Sequence, residues 1–178
     1  MASAVNNLGL RDSTYRQYDS QQAATYAKHR PSPSPALVEL ILGHHTATGG
    51  KSGVLLDVGC GPGIATCVFS KHFDVAIGAD LCESMIKVAT ELGGESAKGD
   101  SVRWVISTAE EIDKIEGVEK GSVDLVIAAF AAHWFDMSKF WAAAAEVMKP
   151  GGTVALWTSC RDFAGEYFTY RRKALTHL

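Results

Sequence analysis

Leu56-Asp-Val-Gly-Cys-Gly-Pro-Gly63 continues the apolar run Val54-Leu55 and leads into Ile64-Ala-Thr-Cys-Val-Phe-Ser-Lys71, so a short strand (Val54–Val58) passes through a glycine-rich turn into a helix. Gly59, Gly61 and Gly63 alternate, and without a Cβ they let the backbone turn tightly and press close to a ligand. The helix start, with its free N–H groups, then faces that ligand. A nicotinamide-dinucleotide fingerprint, G-x-G-x-x-G, needs its third glycine where Ile64 stands, which disfavours a nicotinamide oxidoreductase.

Outward from this turn, strands and helices alternate. Val75-Ala-Ile77, ending at Gly78-Ala-Asp80, reads as strand two, and Glu83 to Leu92 as a helix stopped by Gly93-Gly94. Val102–Ile106 and Val123–Ile127 read as strands three and four. Asp136 caps a helix with apolar face Phe140, Ala144, Val147 and Met148, and Lys149-Pro-Gly-Gly152 turns into strand five, Thr153–Trp157. Upstream, Asp19 and Gln22 have capping-box spacing for a helix over Asp19–Arg30. Ser34 and Pro35 open a second helix with stripe Leu37, Leu40 and Ile41, ended by Gly43 and Gly49-Gly50. His44 and His45 read as solvent-exposed linker residues. The pattern predicts an α/β fold: a Rossmann-like, doubly wound parallel sheet of about five strands, helices on both faces, ligand at the carboxyl ends of the strands. It divides into a helical cap over residues 1–34, a sheet domain over 35–157 and a tail over 158–178.

Composition excludes several classes. The 178 residues carry a net charge of −3, which argues against a nucleic-acid partner. No apolar run approaches the roughly 20 residues a membrane span needs. The start of the chain has no apolar signal core, and Asp12 and Asp19 disfavour a transit peptide. Cys60, Cys67, Cys82 and Cys160 lack C-x-x-C spacing and read as free thiols, so the expectation is a cytoplasmic protein without a metal site.

An acidic residue at the end of strand two, Asp80, suits two ribose hydroxyls; its plainer role is to cap the next helix. Five blocks stand in order: Asp57-x-Gly-x-Gly-x-Gly63, Gly78-x-Asp80-Leu-x-x-Ser-Met85, Ser107-Thr-Ala-Glu-Glu111, Asp124-Leu-Val-Ile-Ala-Ala-Phe-Ala-Ala-His-Trp-Phe-Asp136 and Met148-Lys-Pro-Gly-Gly-Thr-Val154. Together, over about Tyr15 to Trp157, they resemble the class I S-adenosylmethionine-dependent methyltransferases, in the type 11 branch that includes trans-aconitate methyltransferases. The resemblance implies S-adenosylmethionine as cofactor, held by Asp57, Gly59, Cys60, Gly61, Gly63, Asp80, Leu81, Met85, Ala109, Glu110 and Ala128. Many relatives carry Asp where Thr108 stands. Upstream, Tyr18-Asp19, Tyr26 and Arg30-Pro31 also resemble that branch, which implies that Tyr26 and Arg30 lie over the cofactor, the arginine meeting its carboxylate. Tyr15, Tyr18, Phe130, His133 and Trp134 are then expected in the acceptor pocket.

Methyl transfer from a sulfonium is an in-line displacement, in which alignment and exclusion of water do most of the work. A carboxylate or enolate acceptor needs no base; for a hydroxyl acceptor the expected base is His133, whose plainer reading is a histidine supporting its loop. The acceptor is expected to be a small molecule. The family's sheet usually ends in an antiparallel hairpin beside strand five. Here the tail, read as loop and helix, is too short for it, which leaves strand five a bare edge. That edge points to a homodimer or a partner subunit, to a fragment of a longer enzyme, or to a methyltransferase-like protein that no longer methylates.

Overall fold

The computed structural model describes residues 18–158 and, as backbone, 168–171. Helix α1 (Ser20–His29) opens on the expected capping box: Asp19 accepts from the Gln22 N–H at 2.8 Å, and the Gln22 side chain accepts from the Asp19 N–H at 3.0 Å. Helix α2 (Pro35–Ala47) starts at Ser34, whose hydroxyl accepts from the Leu37 N–H. The βα alternation then runs β1 (Val54–Val58), α3 (Ile64–Ser70), β2 (Val75–Asp80), α4 (Glu83–Leu92), β3 (Arg103–Ile106), a 3-10 segment over Ala109–Lys114, β4 (Val123–Ala129), a 3-10 turn over Ala132–Trp134, α5 (Met137–Val147) and β5 (Met148–Trp157).

These five strands are parallel, in the order β3-β2-β1-β4-β5. Chain order reverses between β1 and β4, so ligands are expected at the carboxyl ends there. Side chains alternate between the two faces, as the pleat requires. Leu56, Ile77 and Val126 join Phe140, Ala144 and Val147 of α5 on one side. Leu55, Ala76 and Leu125 join Leu37, Val38 and Ile41 of α2 and Phe69 of α3 on the other. Helix α1 lies on α4, where Ala23, Cys82 and Met85 form a small core with Tyr18, Tyr26 and Val88.

Three local expectations are corrected. Where the sequence predicts loop and helix in the tail, Phe168–Arg171 is a strand, β6, antiparallel to β5 with Thr153 opposite Arg171 and Leu156 opposite Phe168. Strand five is therefore covered over Thr153–Leu156, not a bare edge. The sequence Phe-Thr-Tyr-Arg is aromatic and β-branched, and it satisfies backbone groups that β5 would otherwise leave unpaired. Gly43 lies inside α2, on its exposed side, and Leu40 is 49% exposed, so the buried stripe is Leu37, Val38, Ile41 and His45. His45 is thus no exposed linker. One ring nitrogen meets the Thr153 hydroxyl at 2.8 Å and the other the Lys51 carbonyl at 2.9 Å, tying α2 to β5 and to the approach to β1.

On the opposite side from the ligand end, buried Asp124 accepts from the Val54 N–H at 2.8 Å and from Lys149 Nζ at 2.6 Å. No helix among the described residues is long and apolar enough to cross a membrane.

Candidate active site

At the carboxyl ends of the strands lies a cavity of about 460 Å³. Its floor is the turn between β1 and α3. The N–H groups of Gly59 and Cys60 both donate to the Ala79 carbonyl, at 2.8 and 3.0 Å. The Gly61 N–H donates to the Asp80 carboxylate at 2.7 Å, and the Cys82 N–H to its other oxygen at 2.8 Å. Asp80 therefore braces the glycine turn and stands on the cavity wall. A carboxylate has about four acceptor positions, so this one keeps capacity for a ligand hydroxyl. Burial pushes its carboxyl above the usual range, and the Cys82, Gly61 and Leu81 N–H groups pull it back.

Behind the turn, Asp57 is fully buried, with one oxygen accepting from the Thr66 hydroxyl at 2.6 Å and the other unpartnered. Burial lifts its pKa from 3.8 to about 7; the Thr66 bond opposes that shift, the Asp80 charge adds to it and the Arg30 charge opposes it. The Cys60 thiol, also buried, is raised well above its usual range by desolvation and by the Asp80 and Asp57 charges.

The three glycines do different work. A Cβ at Gly61 would meet only the Tyr26 ring, at 4.0 Å, so that backbone stands open to a ligand. Gly59 (φ +67°) packs instead on the loop after β4, where a Cβ would lie 2.6 Å from that of Ala131. Gly63 (φ +87°) begins α3 against Trp104, 2.5 Å from where its Cβ would be, with no side-chain cap. Gly63→Ala is expected to cost about 2 kcal/mol, through a left-handed backbone and an indole forced aside. Denaturant unfolding measures it, and a cost under about 0.5 kcal/mol would contradict this packing.

Leu81, Met85, Ala109 and Glu110 line the cavity with Tyr26, Arg30, Cys60 and Asp80. Glu110 also accepts from the Asp136 N–H at 2.6 Å, which ties this wall to the start of α5. Phe130, His133 and Trp134 line the side beyond β4, the two rings of His133 and Trp134 4.6 Å apart. Four placements differ from expectation. Ala128 is fully buried within β4, and Ala129 takes its place on the wall, because the ligand end begins only where the strand ends. Asp57 and Gly63 stand behind the wall, not on it. Tyr18 lies outside the cavity, in a shallow hollow with Gln22 and His29, because it packs on Tyr26 6.0 Å away. Tyr15 lies outside the described residues. Sequence reasoning missed Leu37, Cys82, Ser107, Phe135 and Trp157 on the wall. Cys82, Ser107 and Trp157 sit at or just past strand ends, a positional signal that was present. Among the described residues no group of three or more His, Cys, Asp or Glu side chains could hold a metal.

Comparison with known proteins agrees with this geometry. Residues 56–156 match the model of the methyltransferase-domain family. The methyltransferase ptaI of Pestalotiopsis fici is 33% identical over 79% of this chain and 43% of its own length. The methyltransferase cfoB of Aspergillus candidus is 30% identical over 86% of this chain and 48% of its own. The chain thus spans about half the length of the curated relatives it matches. The fold also matches geranyl diphosphate C-methyltransferase of Streptomyces coelicolor, solved with S-adenosyl-L-homocysteine: TM-score 0.54, 21% identity, 69% of this chain and 43% of that one. The open backbone at Gly61 and the braced carboxylate of Asp80 fit S-adenosylmethionine. By its ordered motifs, its fold and the match over residues 56–156, the chain belongs to the S-adenosylmethionine-dependent methyltransferases.

Proposed function

We propose that this chain moves a methyl group from S-adenosylmethionine to a small-molecule acceptor, through a carboxylate, hydroxyl or carbon nucleophile, by in-line displacement. One observation carries the reading: a single cavity joins a polar wall at Asp80 to an aromatic wall at Phe130, His133 and Trp134. Strand order puts β1 between the carriers of these walls, so they flank the glycine turn about 10 Å apart.

When bound, S-adenosylmethionine supplies a methyl group already activated as a sulfonium substituent. The protein's part is binding, orientation and exclusion of water. Asp80 and the Gly61 backbone hold the donor. Phe130, Trp134 and Trp157 offer ring faces and edges that suit an acceptor with a flat apolar body. His133 is exposed on a 3-10 turn at the cavity, where its imidazole could take the proton of a hydroxyl acceptor. We also propose a cytoplasmic setting, supported by Cys60, Cys67 and Cys82, all free thiols.

Acceptor-dependent formation of S-adenosylhomocysteine, followed by mass spectrometry over a panel of carboxylic, phenolic and carbon acids, tests the proposal. Turnover with at least one class supports it. Cofactor binding without acceptor-dependent product across the panel would overturn it in favour of a protein that binds but does not methylate. With a phenolic acceptor, His133→Ala is expected to lower kcat about a hundredfold while cofactor affinity stays within about threefold. An unchanged kcat, or equal losses in both, would remove His133 from the chemistry.

A further inference from the structure

We propose that Arg30 is a positioning residue: it fastens the N-terminal helix to the strained corner that ends β4, and so sets the acceptor wall from Phe130 to Trp134. This deepens the methyltransferase reading and rests on it.

Arg30 caps the C-terminus of α1, its own N–H donating to the Tyr26 carbonyl. Its Nη2 donates at 3.0 Å to the Ala129 carbonyl, the last of β4, ninety-nine residues along the chain. The guanidinium carbon lies 3.9 Å from the centre of the Phe130 ring and 5.4 Å from that of Tyr26. A planar cation over two rings is an arrangement that arginine provides and lysine does not.

The corner it holds has an intrinsic cost. Phe130 is the one residue other than glycine with positive φ, +56°, among the described residues. A left-handed conformation costs a bulky side chain about 1–2 kcal/mol, so surrounding contacts must hold it. Here they are the Phe130 N–H to the Trp157 carbonyl at 2.7 Å, the guanidinium on the ring and the Nη2 bond to the preceding carbonyl. The backbone that leaves this corner carries Ala131, packed where a Gly59 Cβ would lie, and then His133 and Trp134. One side chain thus ties α1, the glycine turn's packing partner and the acceptor wall together.

The family resemblance implies that Arg30 meets the cofactor's carboxylate; its Nη2 bond to the protein's own backbone uses one of five N–H donors and is a second role. The two roles separate experimentally. Hydrogen exchange by mass spectrometry on the full chain, in wild type, Arg30→Ala and Arg30→Lys, reads the hydrogen-bonded amides of Phe130, Trp134 and Phe135, with β1 amides as a control for intact folding. Calorimetric titration with S-adenosylhomocysteine reads the cofactor site. Both variants are expected to exchange over 130–135 at least about tenfold faster, with the β1 amides unchanged. Unchanged exchange over 130–135 in either variant, or acceleration that extends equally to the β1 amides, would overturn the proposal. If wild type binds no S-adenosylhomocysteine, the methyltransferase reading fails, and faster or unchanged exchange still decides whether Arg30 holds the corner.

Discussion

Asparagine in place of Asp80 is expected to weaken S-adenosylmethionine binding about a hundredfold or more, with the fold retained. One carboxylate oxygen accepts the Gly61 N–H at 2.7 Å and the other the Cys82 N–H at 2.8 Å. An amide has one oxygen. Whichever way it turns, its NH₂ faces an N–H donor, and either the glycine turn or the start of α4 is released. The variant also loses a charged acceptor for ligand hydroxyls. Hydrogen bonds to charged groups contribute roughly 1.5–3 kcal/mol each, so loss of one and impairment of another comes to about 3 kcal/mol. Calorimetry on variant and wild type measures the change, with circular dichroism confirming the fold. A change below about threefold would mean that Asp80 is only a structural brace and that the ligand is held elsewhere.

The second large effect is on stability and depends on pH. The Asp57 carboxyl titrates at about 7 in the folded protein against an ordinary value of 3.8, chiefly because burial penalises its charged form. A carboxyl raised in this way holds its proton more tightly folded than unfolded. The stability it contributes is complete below pH 4 and is lost as pH rises through 7. The scale is on the order of 4 kcal/mol. Asp57→Asn removes the ionisation while its amide oxygen can still accept from the Thr66 hydroxyl. Relative to the variant, wild type should therefore lose several kcal/mol between pH 4 and pH 8, which urea unfolding at a series of pH values measures. Parallel curves for the two proteins would show that solvent or a counter-charge relieves Asp57 in the folded state.

Much of this was readable in the chain because local physics and global fold agree. Val54–Val58 and Glu83–Leu92 are bounded in the structure as in the sequence, the first an apolar run stopped by glycines, the second a helical stripe ended at Gly93. The Asp19–Gln22 capping box and the Asp136 cap are likewise local. What the sequence hid depends on distant partners. His45 looks like loop polarity beside Gly49-Gly50 until Thr153, 108 residues on, supplies its partner. Strand β6 is visible only once β5 presents an edge to pair with. The division of labour among Gly59, Gly61 and Gly63 follows from Ala131, Tyr26 and Trp104, none of which is near them in sequence. Arg30 was identified, but its carbonyl partner at Ala129 was out of reach of any motif.

Calorimetric titration of the full 178-residue chain with S-adenosylmethionine shows whether the cofactor site is formed. One site per chain is expected, with a dissociation constant on the order of 1–100 μM. Well-folded protein that gives no binding heat at several temperatures would contradict this: the braced carboxylate and the open glycine turn would then not make a cofactor site in this chain.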